Sequence, residues 1–269
     1  MFELLKAGSK QLLKQPFYSL YERRLEQEAK KWKKPQHLGV ILDGNRRFAR
    51  ENNMQNVVFG HKYGADKFEE FLDWCFEYDI RVITGWAFSL DNFGRDESEL
   101  DGLFGLIGER VQKLMNSPDI HKSKVRLQFF GKISMLPTSL QEIIEEARQR
   151  TREYDERVLN IALAYGGRDE IHNAYIRTMQ EQLKSGRPAK DILDHLKPED
   201  IESYLYTSGL PDPDLIIRTS GELRLSGFLL WQSAYAEYYF SDTYWPAFRK
   251  IDFLRALRSY HYRHRRFGR

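Results

Sequence analysis

Short, continuous apolar runs alternate with helical patterns along most of this chain, and that alternation narrows the possible folds more than any other feature. Six runs are rich in β-branched and aromatic residues: Leu38–Leu42, Val82–Phe88, Val125–Phe130, Val158–Ala164, Leu215–Ile217 and, more weakly, Ala234–Phe240. Continuous apolarity is typical of strands that are covered on both faces. The pattern therefore predicts an α/β fold with a mostly parallel central sheet of about six strands, surrounded by helices.

The segments between the predicted strands carry apolar residues at helical spacing, most clearly over residues 62–77 and 100–116. Helices with such a face line either a buried core or an apolar tunnel, and the spacing leaves both interpretations open. A length of 269 residues and a hydrophobic content of 41% suit one large domain. We assign that domain to residues 1–269.

Positive charge is concentrated at the two ends of the chain, although the net charge is only +3. We expect an N-terminal helical extension over residues 1–34 and a basic C-terminal helix and tail over residues 249–269. Solvated helix faces are the simplest interpretation of both. The single Cys75 excludes an internal disulfide framework, and no apolar run approaches the length of a membrane-spanning helix. These features predict a cytoplasmic protein.

Polar residues follow three of the predicted strands, at the edge where parallel α/β sheets bind ligands. They are Asp43–Arg47 after the first strand, Ser89–Arg95 after the second and Arg218–Glu222 after the fifth. A carboxylate among cations and hydroxyls is the composition expected around a magnesium-bound polyphosphate. Because Asp-Gly is also a strong hairpin signal, a simple turn at Asp43-Gly44 stays open.

Four blocks resemble, in order, the signature regions of the cis-prenyltransferases, also called undecaprenyl diphosphate synthases. They are HLGVILDGNRRFAR, FGHKYGADK, WAFSLDNFGR and IIRTSGELRLSGFLLWQSAYAEYYF. The resemblance runs from about residue 35 to the C-terminus, and the N-terminal segment is more similar to archaeal and eukaryotic members. It implies an enzyme that condenses isopentenyl diphosphate with an allylic prenyl diphosphate, farnesyl or geranylgeranyl, to make a polyprenyl diphosphate for a lipid glycosyl carrier.

The resemblance also implies what accompanies this reaction. Mg²⁺ is the expected cofactor, a hydrophobic tunnel receives the product, and the enzyme is a homodimer. Release of the product implies a transient, peripheral contact with a membrane surface. No nucleic acid is expected as a partner.

Roles for individual residues follow from the resemblance. Asp43 matches the aspartate that handles Mg²⁺ and assists departure of the allylic pyrophosphate, Asn92 matches the catalytic amide, and Glu237 matches a second metal-associated carboxylate. The residues that match substrate contacts are Gly44, Asn45, Arg46, Arg47, Phe48, His61, Ser89, Leu90, Asp91, Phe93, Arg95, Arg218, Arg224, Leu225, Ser226, Arg266 and Gly268.

Some of these residues also have ordinary structural interpretations. His61 could be a core or helix-capping histidine, Arg218 and Glu237 could form an ion pair, and the tail with Arg266 and Gly268 could be a frayed end. The resemblance instead implies that this tail reaches the partner's isopentenyl diphosphate across the dimer interface.

The chain departs from the family pattern in places. Phe48 and Phe93 stand where many members have Trp, and Asn56-Val57-Val58 lacks the arginine that the family usually supplies for the allylic diphosphate. Ala87 is small near the tunnel mouth, which favours a medium or long product.

Four alternatives to this function stay open. The enzyme could make a short product or use a different acceptor, or the chain could be a non-catalytic partner subunit of the same fold. The basic termini could instead bind nucleic acid. An active enzyme is favoured over a non-catalytic subunit or a nucleic-acid-binding protein because the chain retains Asp43, Arg47, Asn92, Arg218 and Glu237.

Overall fold

Six parallel strands form the centre of the protein in the computed structural model, which describes residues 18–263. They are β1 (His37–Ile41), β2 (Val82–Trp86), β3 (Val125–Phe130), β4 (Arg157–Ala162), β5 (Leu215–Arg218) and β6 (Glu237–Phe240). Their spatial order is β3-β4-β2-β1-β5-β6, and every neighbouring pair is parallel. All six predicted strands are confirmed, including the weak sixth.

Helices surround this sheet, as the alternating pattern predicts. They are α1 (residues 18–29), α2 (Asn45–Glu51), α3 (Val57–Glu77), α4 (Glu97–Met115), α5 (Pro118–Lys122), α6 (Thr138–Thr151), α7 (Gly167–Lys184), α8 (Ala189–His195), α9 (Pro198–Glu202) and α10 (Lys250–Tyr262). The two amphipathic patterns at 62–77 and 100–116 are α3 and α4. No helix within residues 18–263 is both long and apolar enough to cross a membrane.

Two apolar clusters hold the sheet between these helices. In the larger one, the ring of Phe71 on α3 lies 5.4 Å from that of Trp245 and 5.6 Å from that of Phe253 on α10. The smaller cluster stacks Trp86 on Phe228 with ring centroids 5.5 Å apart. Because strand side chains alternate between the faces of a sheet, the two clusters pack the strands from both sides and fix the ends of β1 and β5.

The charged ends of the described chain pack against each other. Lys250 of α10 lies 2.7 Å from the carboxylate of Glu26 on α1, and the guanidinium of Arg249 lies 5.3 Å from the centre of the Tyr18 ring. Trp32 stacks on His261 at 6.2 Å. The described part of the predicted N-terminal extension is thus an integral helix whose charges partly pair with α10.

A buried histidine begins the central strand β1. His37 is fully buried, with Nδ1 2.6 Å from the carbonyl oxygen of Pro211 and Nε2 2.8 Å from Oγ1 of Thr84. Burial is the main cause that lowers the pKa of His37, to about 4. The fold therefore accepts the neutral ring and disfavours the charged one.

We expect acid to destabilise the protein through His37. Its folded pKa of about 4 lies below the ordinary value of 6.5, so its contribution is complete above pH 6.5 and is lost as the pH falls through 4. The free energy of unfolding, measured by urea denaturation, should fall by about 3 kcal/mol over this window. His37→Gln should flatten that slope and His195→Gln, on the surface, should retain it. Equal slopes for wild type and His37→Gln would contradict this expectation.

Candidate active site

The chain turns from β1 into α2 at Asp43 and Gly44. Gly44 has φ of +108°, and a Cβ built there would lie 2.7 Å from Cδ1 of Tyr244. Only glycine adopts such a backbone at no steric cost. The hairpin interpretation is wrong, because Asn45 begins a helix and β2 runs parallel to β1.

Two glycines of α3 let α2 approach closely. A Cβ at Gly60 would lie 2.2 Å from the carbonyl oxygen of Asn45, and one at Gly64 would lie 2.3 Å from Oδ1 of the same residue. This side-chain oxygen is buried and finds no hydrogen-bond partner within residues 18–263. The close contact sets the position of Asn45 and, with it, of the arginines that follow on α2.

The carboxylate of Asp43 lies between two arginines from different parts of the chain. Arg218, at the end of β5, donates from Nη2 to Oδ2 at 2.8 Å, and Arg47 donates from Nη2 to Oδ1 at 3.3 Å. Burial alone would raise the pKa of Asp43, but the hydrogen bond and charge of Arg218 and the charge of Arg47 outweigh it and lower the pKa. Asp43 is therefore a carboxylate at neutral pH.

Arg218 also holds the loop that follows β5. Its side chain is only 5% exposed, and Nη1 donates to Oγ of Ser226 at 2.8 Å and to the carbonyl oxygen of Arg224. Ser220 and Ser226 adopt left-handed backbone conformations, with φ of +79° and +52°. One buried guanidinium thus connects the first-strand carboxylate to the predicted isopentenyl diphosphate residues.

A second carboxylate, Glu222, ties this loop to α2. Arg47 donates to Oε1 of Glu222 at 3.1 Å and to Oγ of Ser220 at 2.6 Å. Arg224 forms an ion pair with the other carboxylate oxygen of Glu222. Glu222 is among the polar residues that follow the fifth predicted strand, but the sequence assigned it no role. In the structure it lies between Arg47 and Arg224, two of the predicted phosphate ligands.

Sequence reasoning missed a third carboxylate, Glu99 on α4. Its side chain is 5% exposed, and its Oε1 lies 3.2 Å from Nε2 of His61, 3.2 Å from Nη1 of Arg95 and 3.5 Å from Nε of Arg46. Burial is the main cause that lowers the pKa of His61. The sequence did contain one signal for this contact. Arg95 and Glu99 are four positions apart at the start of a helix, a spacing at which opposite charges pair.

The segment after β2 forms a short 3₁₀ helix, Leu90–Gly94. The backbone N–H of Ser89 donates to Oδ1 of Asn92 at 3.2 Å, so the amide oxygen of Asn92 is engaged within its own turn. Phe93 packs edge-on against Phe88 with ring centroids 5.0 Å apart, while Asp91 is exposed. Phe93 is therefore partly buried in an aromatic cluster around Phe88, and Asn92 is oriented by the turn.

The structure does not bring Glu237 to Asp43 within one chain. Glu237 begins β6 in register with Leu215, about 10 Å along the sheet from the level of Arg218, and Asp43 lies farther still, two residues beyond the β1 residue that pairs with Arg218. It pairs with Arg263 at 2.8 Å, so the ordinary ion pair between Arg218 and Glu237 is wrong. Arg266 and Gly268 lie outside the described residues.

An apolar cavity lies beside this polar cluster, between α3, α4 and the sheet. A second, polar pocket is formed by residues 42–47, Arg50, His61 and Arg95. Leu42, Asn45 and His61 belong to both walls. The α3 and α4 faces thus line a cavity as well as a core, and this cavity meets the cationic pocket at one end.

The comparisons with known proteins agree with this geometry. A family model described as undecaprenyl diphosphate synthase matches residues 41–268. An isoprenyl transferase of Thermus thermophilus is 49% identical over 96% of this chain and 97% of its own length. A tritrans,polycis-undecaprenyl-diphosphate synthase (geranylgeranyl-diphosphate specific) of Methanopyrus kandleri is 48% identical, covering 94% and 92%. A (2Z,6E)-farnesyl diphosphate synthase of Thermobifida fusca is also 48% identical, covering 96% and 99%.

Among solved structures, lavandulyl diphosphate synthase from Lavandula x intermedia, in complex with dimethylallyl diphosphate, has a similar fold. The TM-score is 0.79 at 32% identity, and the match covers 88% of this chain and 99% of that one. The predicted fold class and family resemblance are confirmed. The Thermus and Methanopyrus relatives share nearly the same sequence identity with this chain, so the comparisons do not favour the archaeal members.

We expect Glu99 to stabilise the unliganded site. Glu99→Gln removes the charge that Arg46, Arg95 and His61 share, so the free energy of unfolding should fall by roughly 2–3 kcal/mol. Inorganic pyrophosphate should then stabilise the variant more than the wild type, because it supplies the missing negative charge. Glu97→Gln, on an exposed turn of the same helix, is the matched control. Identical denaturation curves for the two variants would refute this role.

Proposed function

Because the chain belongs to the undecaprenyl diphosphate synthase family, whose members are cis-prenyltransferases, we propose that it condenses isopentenyl diphosphate with farnesyl or geranylgeranyl diphosphate. The product of repeated cis additions is a polyprenyl diphosphate that would serve as a lipid glycosyl carrier. The observation that carries this proposal is the junction of a cationic pocket with an apolar cavity at Asn45 and His61. An allylic diphosphate has the same two parts, an anionic head and an apolar tail.

The allylic diphosphate binds, in this proposal, at the start of α2. Arg46 and Arg47 face the polar pocket with Arg95 and His61, and guanidinium groups suit phosphate oxygens. The pocket already holds the three arginines against Glu99 and Asp43, so an incoming diphosphate replaces or joins acceptors that are in place. This supply of cations compensates for the missing arginine at Asn56–Val58.

A metal ion can bind beside Asp43 only if the substrate phosphates supply further ligands. Within residues 18–263, no group of three histidine, cysteine or carboxylate side chains could hold a metal ion. Mg²⁺ commonly binds through one or two carboxylates together with substrate phosphates and waters, and Asp43 is such a carboxylate. We propose that Asp43 holds Mg²⁺ with the diphosphate; when bound, the ion would neutralise charge on the leaving group. Glu237 has no support as a ligand within one chain.

Isopentenyl diphosphate binds, we propose, at the loop after β5. Arg224 is exposed and Ser226 is held by Arg218, so the loop presents a cation and a hydroxyl beside Asp43. Leu225 lies between them in the chain. Asn92 and Ser89 approach from the β2 end. Since an amide is a weak base and its oxygen is engaged with Ser89, Asn92 orients the reacting carbon while a phosphate oxygen or water takes the proton.

Two exposed surfaces support the proposed partners of the chain. β6 is an edge strand, and Tyr235 beside it is 70% exposed, which suits burial against a second copy of the chain. Phe59 and Tyr63 of α3 are 48% and 53% exposed on the turns that carry His61. We propose that the first surface forms a homodimer and that the second makes the transient membrane contact for product release.

A short product is the second candidate. One 48% identical relative is named a farnesyl diphosphate synthase and another an undecaprenyl diphosphate synthase, so family membership covers both lengths. Ala87 lines the cavity and leaves room for a tail beyond the first condensation. Product sizing with primers of increasing length separates the two candidates.

Loss of the Asp43 carboxylate should abolish most turnover. We expect Asp43→Ala and Asp43→Asn to lower kcat on the order of 100- to 1,000-fold, because charge on the leaving diphosphate loses its stabilisation. Circular dichroism should show folded protein for both. Asp155→Ala, in an exposed loop, should retain wild-type turnover. Near-wild-type kcat for either Asp43 variant would sink this mechanism.

Loss of the Arg224 cation should weaken isopentenyl diphosphate selectively. Arg224→Met removes one charge-assisted contact, so KM for isopentenyl diphosphate should rise roughly 10- to 100-fold, with KM for the primer unchanged. Its side chain is 64% exposed, so folding should be little affected. Arg152→Met, also exposed, is the control. Equal rises in both KM values would show that the site is wrongly placed.

Mixed dimers test the proposed trans role of the tail. Deleting residues 265–269 should depress activity strongly, because Arg266 and Gly268 would no longer reach the partner's substrate. Mixing this truncated chain with Arg224→Met should restore part of the activity, since one of the two sites then has an intact body and an intact tail. Verified subunit exchange without any recovery would rule out a tail that acts in trans.

A further inference from the structure

The wall of the apolar cavity contains two charged side chains to which the proposed function assigns no role. Glu69 of α3 and Arg110 of α4 line it among aliphatic and aromatic residues. Nη1 of Arg110 lies 2.8 Å from Oε1 of Glu69, and Nη2 lies 2.7 Å from Oδ1 of Asp66. The Arg110 side chain is only 13% exposed. Its charge therefore lies largely away from water and depends on these partners.

This pair lies far from the diphosphate end of the cavity. Arg110 follows Glu99 by eleven positions on α4, about 16 Å along a helix. Glu69 follows His61 by eight positions on α3, about 12 Å. A prenyl tail that starts near His61 must grow past the first part of the cavity before it meets the pair.

Both groups are held in their charged forms by their surroundings. Burial would raise the pKa of Glu69, but hydrogen bonds from Lys113 and Arg110 lower it below its ordinary value. Lys113 lies 2.5 Å from the second carboxylate oxygen. Nε of Arg110 is buried and has no hydrogen-bond partner within residues 18–263. The bridge is thus charged on both sides and joins the two helices that form the cavity.

We infer that the Glu69–Arg110 bridge sets the maximum length of the product, an inference that rests on the proposed function. A hydrocarbon tail offers no hydrogen bond to either group, and separating them leaves a charge beside apolar chain. The bridge also joins α3 to α4 across the cavity wall, so it opposes widening of the cavity. Because Ala87 leaves the mouth open, the restriction that the tail meets is this bridge together with the apolar side chains beside it, Val111 and Leu114.

The test compares product lengths made by wild type and by Glu69→Leu/Arg110→Leu, in which both charges are removed together. Each enzyme is incubated with labelled isopentenyl diphosphate, Mg²⁺ and farnesyl diphosphate, and products are sized by chromatography. The readout is the ratio of long to short products within one reaction, which does not depend on overall rate. Glu69→Leu alone keeps Arg110 paired with Asp66 and is the second variant should the double variant fold poorly. Glu181→Leu/Lys184→Leu, an exposed pair on α7, is the matched control.

We expect the longest major product of the double variant to gain at least one isoprene unit, and Glu69→Leu to shift in the same direction by a smaller amount. The control should give the wild-type distribution. A wild-type or shorter distribution from a folded variant that lacks the bridge overturns the inference, while leaving prenyl transfer intact. A wild-type chain that forms no product from any primer overturns the proposed function, and this inference with it.

Discussion

The contact between Asp43 and Arg218 is the interaction on which the rest of the site depends. It joins the ends of β1 and β5, which are neighbours in the sheet but 175 positions apart in the chain. A buried guanidinium is costly to desolvate unless its donors are satisfied. Nη1 and Nη2 of Arg218 donate to Asp43, Ser226 and the backbone of Arg224, while its Nε is buried without a hydrogen-bond partner within residues 18–263. The same contacts hold the loop in place, so the two proposed substrate sites share one anchor.

Three carboxylates in this site each contact two or three basic side chains. Asp43 and Glu222 hold Arg47 from two sides, while Glu99 holds Arg46, Arg95 and His61. Arginines packed this densely would repel one another in an empty pocket, and the three acids, of which Glu99 is buried and the other two are partly exposed, offset that repulsion before any anion arrives. The arrangement is therefore preorganised for phosphate, because binding does not require the arginines to be gathered from solvent.

Much of this architecture was predictable from local sequence pattern. The strands follow from continuous apolar runs, and Asp43, Arg47 and Arg218 follow from the rule that ligands bind at the carboxyl ends of parallel strands. Glu99 was missed because its role arises where α3 and α4 meet, and a single acid on a helix gives no local sign of its partners. The metal role of Glu237 came from resemblance, and within one chain its place at the start of β6 separates it from Asp43.

The central claim is that Asp43 and its arginines bind the diphosphate while the tail enters the cavity between α3 and α4. A crystal structure with Mg²⁺ and a non-hydrolysable thio-analogue of farnesyl diphosphate tests it most directly. We predict that the metal lies between the Asp43 carboxylate and the diphosphate, with Arg46 and Arg47 on the phosphate oxygens and the tail pointing toward Arg110. A diphosphate bound away from Asp43, or a tail lying outside the cavity, would contradict the account.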